Sequence, residues 1–406
     1  MIRVFTAFSG YDSQCLALNV LRGEEDNPNI HSKDGYMYIF NYELVGWSEI
    51  DKYAIKAHNA LFPQWSERNY GDISKIDWET IPDFDLFTYS PPCQDFSQAG
   101  KQKGAEKGSG TRSSLLWECE RAIRIKRPKY LLFENVSAVA SKKFVKLFNS
   151  WQLTLNRMGY TNFAQILNAK THGYPTPVPQ NRERLFMVSI LDCDQPFYFP
   201  DAQPLKQRLA DILEPEVDES YYLKSITPAI QKRLDNNHAT INDMFDGITH
   251  ALTTKSDAAS VTNFVKVVLG WTRDKKGNVV NLHQVKIANA VTASKRDNTQ
   301  NYVIEQRGHG FVRDSQKEIC PTITGVTFKD NNTLNNGYRI RKLTPRECFR
   351  LMGVADMDID IIQAAGISKS QQYKMAGNSI PVNCITSILR QLFIGNFNKV
   401  IQTEIF

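Results

Sequence analysis

The segment SPPCQDFS, residues 90–97, places a thiol where it can react. Two prolines stiffen the end of an apolar strand-like run over 85–90 and deliver Cys93 beyond its carboxyl end, where ligands sit in open α/β sheets. A cysteine beside such a strand is ordinarily inert core. Here it runs on into QAGKQKGAEKGSGTR, residues 98–112, which is rich in Gly, Lys and Ser and reads as a mobile polar loop. The string ENV puts Glu134 at the end of another strand-like run. A carboxyl group there can serve as a general acid toward a molecule held by the thiol, or can merely cap the next helix. Arg182 and Arg184, in QNRER, are cations able to lower the thiol's pKa.

A second group of residues suits a nucleoside. In FSGYDSQ, residues 8–14, a strand turns through Gly10 into a helix, which presents backbone N–H groups to a ligand. One glycine is commonplace in turns. Glu49 ends the next strand and is placed to hold ribose hydroxyls. Asp72, in GDI, follows a third strand-like region and is placed to accept from an adenine amino group. Each carboxylate alone is an ordinary loop residue; together, at successive strand ends, they point to one site.

These groups need a scaffold, and the first half supplies an alternation of strands and helices. Strand-like runs cover 2–8, 42–50, 85–90, 130–134 and 184–190. Helical spacing covers 12–21, 52–61, 113–124 and 144–158, as with Leu116, Cys119, Glu120 and Ile123. This order predicts an α/β fold, a Rossmann-like and mostly parallel sheet with helices on both faces. Residues 22–41 read as a polar insertion. From about Cys193 the alternation gives way to short β-like runs between polar turns, which reads as a smaller, irregular β-rich domain. The expected division is 1–192, 193–366, and a segment 367–406 that returns to the first domain and includes an amphipathic helix over 380–393.

Composition bounds the rest. The chain has 406 residues, 42% hydrophobic and 23% charged, as in ordinary globular proteins. No apolar run is long enough to span a bilayer, and the opening MIRVFTAFSG lacks a signal-peptide core, so the expectation is a cytoplasmic protein. Seven cysteines without a CxxC pair argue against a disulfide framework and a zinc site. A net charge of +6 permits a nucleic-acid partner without demanding one.

Taken in order, FSGYDSQ, SEID, GDI, PPCQDFS, ENV, QNRERLF, RKLTPRE and GNSIPV resemble the cytosine-5 DNA methyltransferase family of bacteria and phages, over nearly the whole chain. The resemblance implies S-adenosylmethionine as cofactor, no metal, and double-stranded DNA as partner. It also implies a monomer, with a cognate restriction endonuclease where the enzyme belongs to such a pair. Phe8, Gly10, Glu49, Ile50, Asp72 and Asn378 match positions lining the cofactor pocket. Cys93 matches the nucleophile that adds to C6 of a flipped cytosine, and Glu134 the group that holds N3. Arg182 and Arg184 match a pair near the active site, one of which contacts the base. Arg341, Thr344, Arg346 and Glu347 match a motif that organises the recognition domain, with structural salt bridges as their plainer role. The chain departs from the family at Asp12 and Ser13, where glycines are usual, at Ile50, where an aromatic is usual, and at the Pro-Pro before Cys93.

Three rivals stand beside this reading. An RNA-directed member of the family is disfavoured by the long variable stretch between QNRER and RKLTPRE. A catalytically silent relative is disfavoured by the intact Cys93, Glu134 and Arg184. A nicotinamide oxidoreductase is disfavoured by the missing GxGxxG string.

Overall fold

The computed structural model describes residues 1–23, 40–92, 115–142, 144–223, 228–236, 240–243, 249–250, 252, 263–273, 279–284 and 338–395. Cys93, the loop 98–112, most of the insertion 22–41 and the Gly- and Asn-rich stretch 322–337 lie outside them.

The first half folds as β1 (Ile2–Ala7), α1 (Ser13–Arg22), β2 (Tyr42–Ser48), α2 (Lys52–Leu61), β3 (Leu86–Tyr89), α3 (Leu116–Lys126), β4 (Tyr130–Val136), α4 (Val145–Arg157), β5 (Tyr160–Asn168), β6 (Gln180–Asn181) and β7 (Glu183–Leu191). Six of these strands form one sheet in the order β2-β1-β3-β4-β7-β5. The first four run parallel, and β7 lies antiparallel between β4 and β5.

Period-two alternation explains why both faces are covered. Val4, Leu44, Leu86, Leu132, Phe186 and Val188 point to one side, where Cys15, Leu16 and Leu18 of α1 meet them. Phe5, Val45, Phe87, Leu131, Phe133 and Met187 point to the other, against Cys119 and Ile123 of α3 and Phe148, Trp151 and Leu155 of α4.

Two sequence expectations are corrected. Strand β5 was not foreseen, because it is an edge strand whose middle residues are largely exposed and lack apolar alternation. Asp72 does not follow a strand. The chain before it forms a 3₁₀ turn, Pro63–Arg68, and a single β-bridge, Trp47 with Asn69. The third parallel strand is β3, which leads toward Cys93.

The second half contains α5 (Leu209–Ile212), α6 (Pro228–Asp235), β8 (Thr240–Asp243), β9 (Thr249–His250), β10 (Asn263–Arg273), β11 (Val279–Gln284), β12 (Tyr338–Lys342), α7 (Pro345–Leu351), α8 (Asp356–Ala364), α9 (Lys369–Asn378) and α10 (Val382–Arg390). Strand β10 centres a small sheet with β11 and β12 antiparallel to it and β8 parallel. Both ends of 193–366 nevertheless share the main core. Leu209, Ile212 and Leu213 at one end, and Leu343, Phe349, Leu351 and Ile359 at the other, pack in the cluster that holds α1 and α10.

The junction between β12 and α7 rests on a fully buried ion pair. Arg341 donates from Nη1 to Glu347 Oε2 at 2.7 Å and from Nη2 to Oε1 at 2.6 Å. The same carboxylate accepts the backbone N–H of Thr344 at 2.8 Å, as part of the capping box of α7, and that of Glu214 at 2.8 Å. Four donors compensate its desolvation, so removing it strands a buried guanidinium. Glu347→Ala should cost ~3–5 kcal/mol in denaturant unfolding. A loss under ~1 kcal/mol, the scale of an exposed pair, would show that the junction does not depend on it.

Candidate active site

The end of β1 turns through three left-handed residues, Phe8 (φ 57°), Gly10 (φ 61°) and Asp12 (φ 68°). At Gly10 the need is conformational, since a Cβ there would meet nothing within 4 Å among the described residues. The space above it is therefore open to a ligand. Asp12 tolerates its backbone because its side chain bonds locally: Oδ1 accepts the Cys15 N–H at 3.0 Å and caps α1.

Glu49 ties this turn to the end of β2. Its Oε2 accepts the Gly10 N–H at 2.9 Å, and its Oε1 accepts those of Ile50 and Asp51 at 2.7 and 2.8 Å. Beside it Ile50 is 73% exposed, an apolar face at the rim. Asn69, which the sequence did not single out, brackets Glu49 by accepting its N–H and donating to its carbonyl, both at 3.2 Å.

Asp72 comes within reach because Ser48 Oγ, at the end of β2, donates to the Gly71 carbonyl at 2.6 Å. The Ser74 N–H and hydroxyl hold the Asp72 carboxyl below its ordinary range. Asn378 ends α9 and is exposed. The next residue, Ser379, accepts from the Tyr11 hydroxyl at 2.9 Å, which brings the segment against the β1 turn.

Glu134 lies near the end of β4 and is buried. The antiparallel register sets Val136 opposite Arg184, so Arg184 is the diagonal neighbour of Glu134. Its Nε is 3.2 Å from Glu134 Oε1. Burial pushes the Glu134 carboxyl up; Arg184, and then Arg182, pull it back, and the net result stays above the ordinary range. Asn135 Nδ2 donates to the Pro91 carbonyl at 3.4 Å and links this strand end to the segment entering Cys93.

The two arginines have different partners. Arg184 faces Glu134, whereas Arg182 donates to three carbonyls: Leu252 at 3.3 Å, Gly377 at 3.0 Å and Ser379 at 2.8 Å. Arg182 thus joins the second half of the chain to the residues flanking Asn378.

Burial also silences other thiols. It raises the pKa of Cys15, Cys119 and Cys348 well above the ordinary range and that of Cys384 to about 12. Among the described residues no group of three His, Cys, Asp or Glu is placed to hold a metal ion, and no helix is long and apolar enough to cross a membrane.

The buried Glu134 thus lies beside the strand that leads to the Pro-Pro-Cys segment, in a sheet of the order β2-β1-β3-β4-β7-β5. The chain belongs to the C-5 cytosine-specific DNA methylase family, whose sequence model matches residues 33–394. It is a DNA cytosine-5 methyltransferase. It is 33% identical to the type II methyltransferase M2.ScrFI of Lactococcus lactis subsp. cremoris, over 97% of this chain and 99% of that protein. It is 31% identical to the orphan methyltransferase M.SPRI of Bacillus phage SPR, over 88% and 93%. Among solved structures its fold matches the Entamoeba histolytica methyltransferase EhMeth, with a TM-score of 0.62 at 17% identity over 97% of this chain and 98% of that one. It also matches the S. pombe Dnmt2 methyltransferase, with a TM-score of 0.60 at 17% identity over 98% and 99%.

The raised Glu134 pKa has a consequence for stability. The folded chain binds this proton more tightly than the unfolded chain. The stabilisation is complete below the unfolded carboxyl value and is lost as pH rises through the folded one. Glu134→Gln has no such loss. Its melting temperature relative to the parent should therefore rise as pH goes from about 4 to neutrality. A difference that stays flat or falls over this window would contradict the assignment.

Proposed function

We propose that the chain methylates carbon 5 of a cytosine flipped out of duplex DNA, through a temporary bond between Cys93 and C6. The observation that carries this reading is the buried Glu134, paired with Arg184 at 3.2 Å, whose carboxyl burial pushes above its ordinary range. Carbon 5 of cytosine is a poor nucleophile until a thiolate adds at C6. A carboxyl group that retains its proton can share it with N3 and favour that addition. Arg184 keeps Glu134 oriented and adds positive charge where the ring gains electron density. Once C5 carries the methyl group, a base removes the C5 proton and Cys93 leaves. The target atom is inaccessible inside a duplex, so the base must leave the stack.

S-adenosylmethionine, when bound, supplies the electrophilic methyl group. The residues present suit it: open space above Gly10, the Glu49 carboxylate for a ribose diol, the exposed Ile50 for an adenine face and Asp72 for its amino group. Phe8 and Asn378 complete the pocket in this reading. The region 193–344 would read the DNA sequence, and the polar loop 98–112 would close over the flipped base. The names of the relatives M2.ScrFI and M.SPRI suit either a type II restriction–modification role or an orphan one. In both roles the protein acts as a cytoplasmic monomer.

A fluorine at C5 cannot leave as a proton does, so a duplex carrying 5-fluorocytosine in the recognised site should trap the chain. With S-adenosylmethionine present, a denaturation-resistant complex should form at Cys93 and be lost in Cys93→Ala. An adduct at another thiol, or trapping on tRNA rather than duplex DNA, would overturn the proposal.

A further inference from the structure

Beneath the Gly10 turn lies a buried polar cluster that the reaction above leaves unused. Asp12 and His58 are both fully buried, with His58 Nε2 3.4 Å from Asp12 Oδ2. The same carboxylate oxygen accepts the Thr6 hydroxyl at 2.8 Å, and Thr6 Oγ1 is 2.9 Å from Ser9 Oγ. His58 stacks on Trp47 with ring centroids 3.6 Å apart, and among the described residues neither of its ring nitrogens has a hydrogen-bond partner. A buried carboxylate and a buried imidazole are each costly alone, and here the fold brings the two together.

The placement of the pair matters more than its energy. Helix α2 begins beside Glu49, where Asp51 caps it by accepting the N–H groups of Tyr53 and Ala54, and it carries His58 at its far end. Beyond the β1–β2 ladder and the Ser9 N–H donated to the Ser48 carbonyl, the β2–α2 unit holds the β1–α1 unit by side chains near both ends of α2. Above, Glu49 accepts from Gly10; below, His58 meets Asp12. Both ties flank the stretch that carries the Gly10 backbone and the Glu49 carboxylate.

We propose that Asp12 and His58 are positioning residues for S-adenosylmethionine: they hold the Gly10 turn and the Glu49 carboxylate at the separation the nucleoside requires. This rests on the cofactor reading given above. Both side chains are fully buried and act only through the turn and α2.

Titration calorimetry on the full chain tests it. Asp12→Asn keeps a side chain that tolerates left-handed backbone and can still cap α1, but removes the charge. His58→Phe keeps a ring on Trp47 and removes both nitrogens. Each should weaken S-adenosylmethionine binding about tenfold, with kcat at saturating cofactor and DNA affinity within about twofold of the parent. The double variant should be no weaker than the worse single one. Thr6→Val removes only the hydroxyl donated to Asp12 and should weaken cofactor binding about threefold, which keeps the test available if a charge-removing variant does not fold.

Cofactor affinity unchanged in the folded variants, equal losses for DNA, or additive losses in the double variant would overturn the inference. If the parent binds no S-adenosylmethionine, or Glu49→Ala binds it as the parent does, the cofactor reading itself fails. If the parent binds and only the Asp12 and His58 variants are indifferent, the positioning role alone fails.

Discussion

The buried pair of Arg341 and Glu347 is the joint on which the two halves of the molecule depend. It anchors the last strand of the small sheet to the first turn of α7, and Glu214 enters the same carboxylate from the opposite side of the variable region. Helix α7 packs on α9, and the Tyr373 hydroxyl of α9 donates to the Leu343 carbonyl at 2.5 Å. The end of α9 carries Asn378. A displacement of β12 therefore passes through a buried junction to the rim of the proposed cofactor pocket. Buried ion pairs of this kind give little net stability relative to apolar packing; here the pair gives geometry.

From that joint the site divides into two halves with separate supports. The proposed nucleoside half is built by backbone turns at the ends of β1 and β2, held by Glu49. The proposed base half is built by side chains on β4 and β7, where the antiparallel register places Arg184 beside Glu134. Arg182 spans them, because its acceptors lie at Leu252, in the second half of the chain, and at Gly377 and Ser379, beside Asn378. Two arginines close in sequence thus do different work: one modulates a carboxyl group, the other fixes where three chain segments meet.

Much of this was legible in the sequence, for identifiable reasons. Helix α2 was expected near 52–61 and forms at Lys52–Leu61, where Asp51 caps its first turn. The central strands were read because each is a mostly apolar run that buries residues on both faces. Strand β5 was missed because an edge strand lacks that pattern, and Asp72 was set at a strand end where the chain forms only one β-bridge after a 3₁₀ turn. The Glu134–Arg184 pairing was half visible: both residues stood out, but the register that joins them depends on a strand reversal no local signal announces. The carbonyls held by Arg182 could not be read at all, since every sequence offers backbone acceptors. Asp12 appeared only as a departure from a glycine pattern, and its partner His58, distant in the chain, carried no signal of its own.

The central claim concerns one atom, carbon 5 of cytosine. Duplex DNA from cells expressing the chain, digested to nucleosides and also sequenced at base resolution for methylcytosine, reports on it directly. The account predicts 5-methylcytosine at one position of one recurrent short sequence, and none in cells expressing Cys93→Ala. Methylation on an exocyclic nitrogen, methyl groups in RNA but not DNA, or full methylation by the Cys93→Ala protein would contradict it.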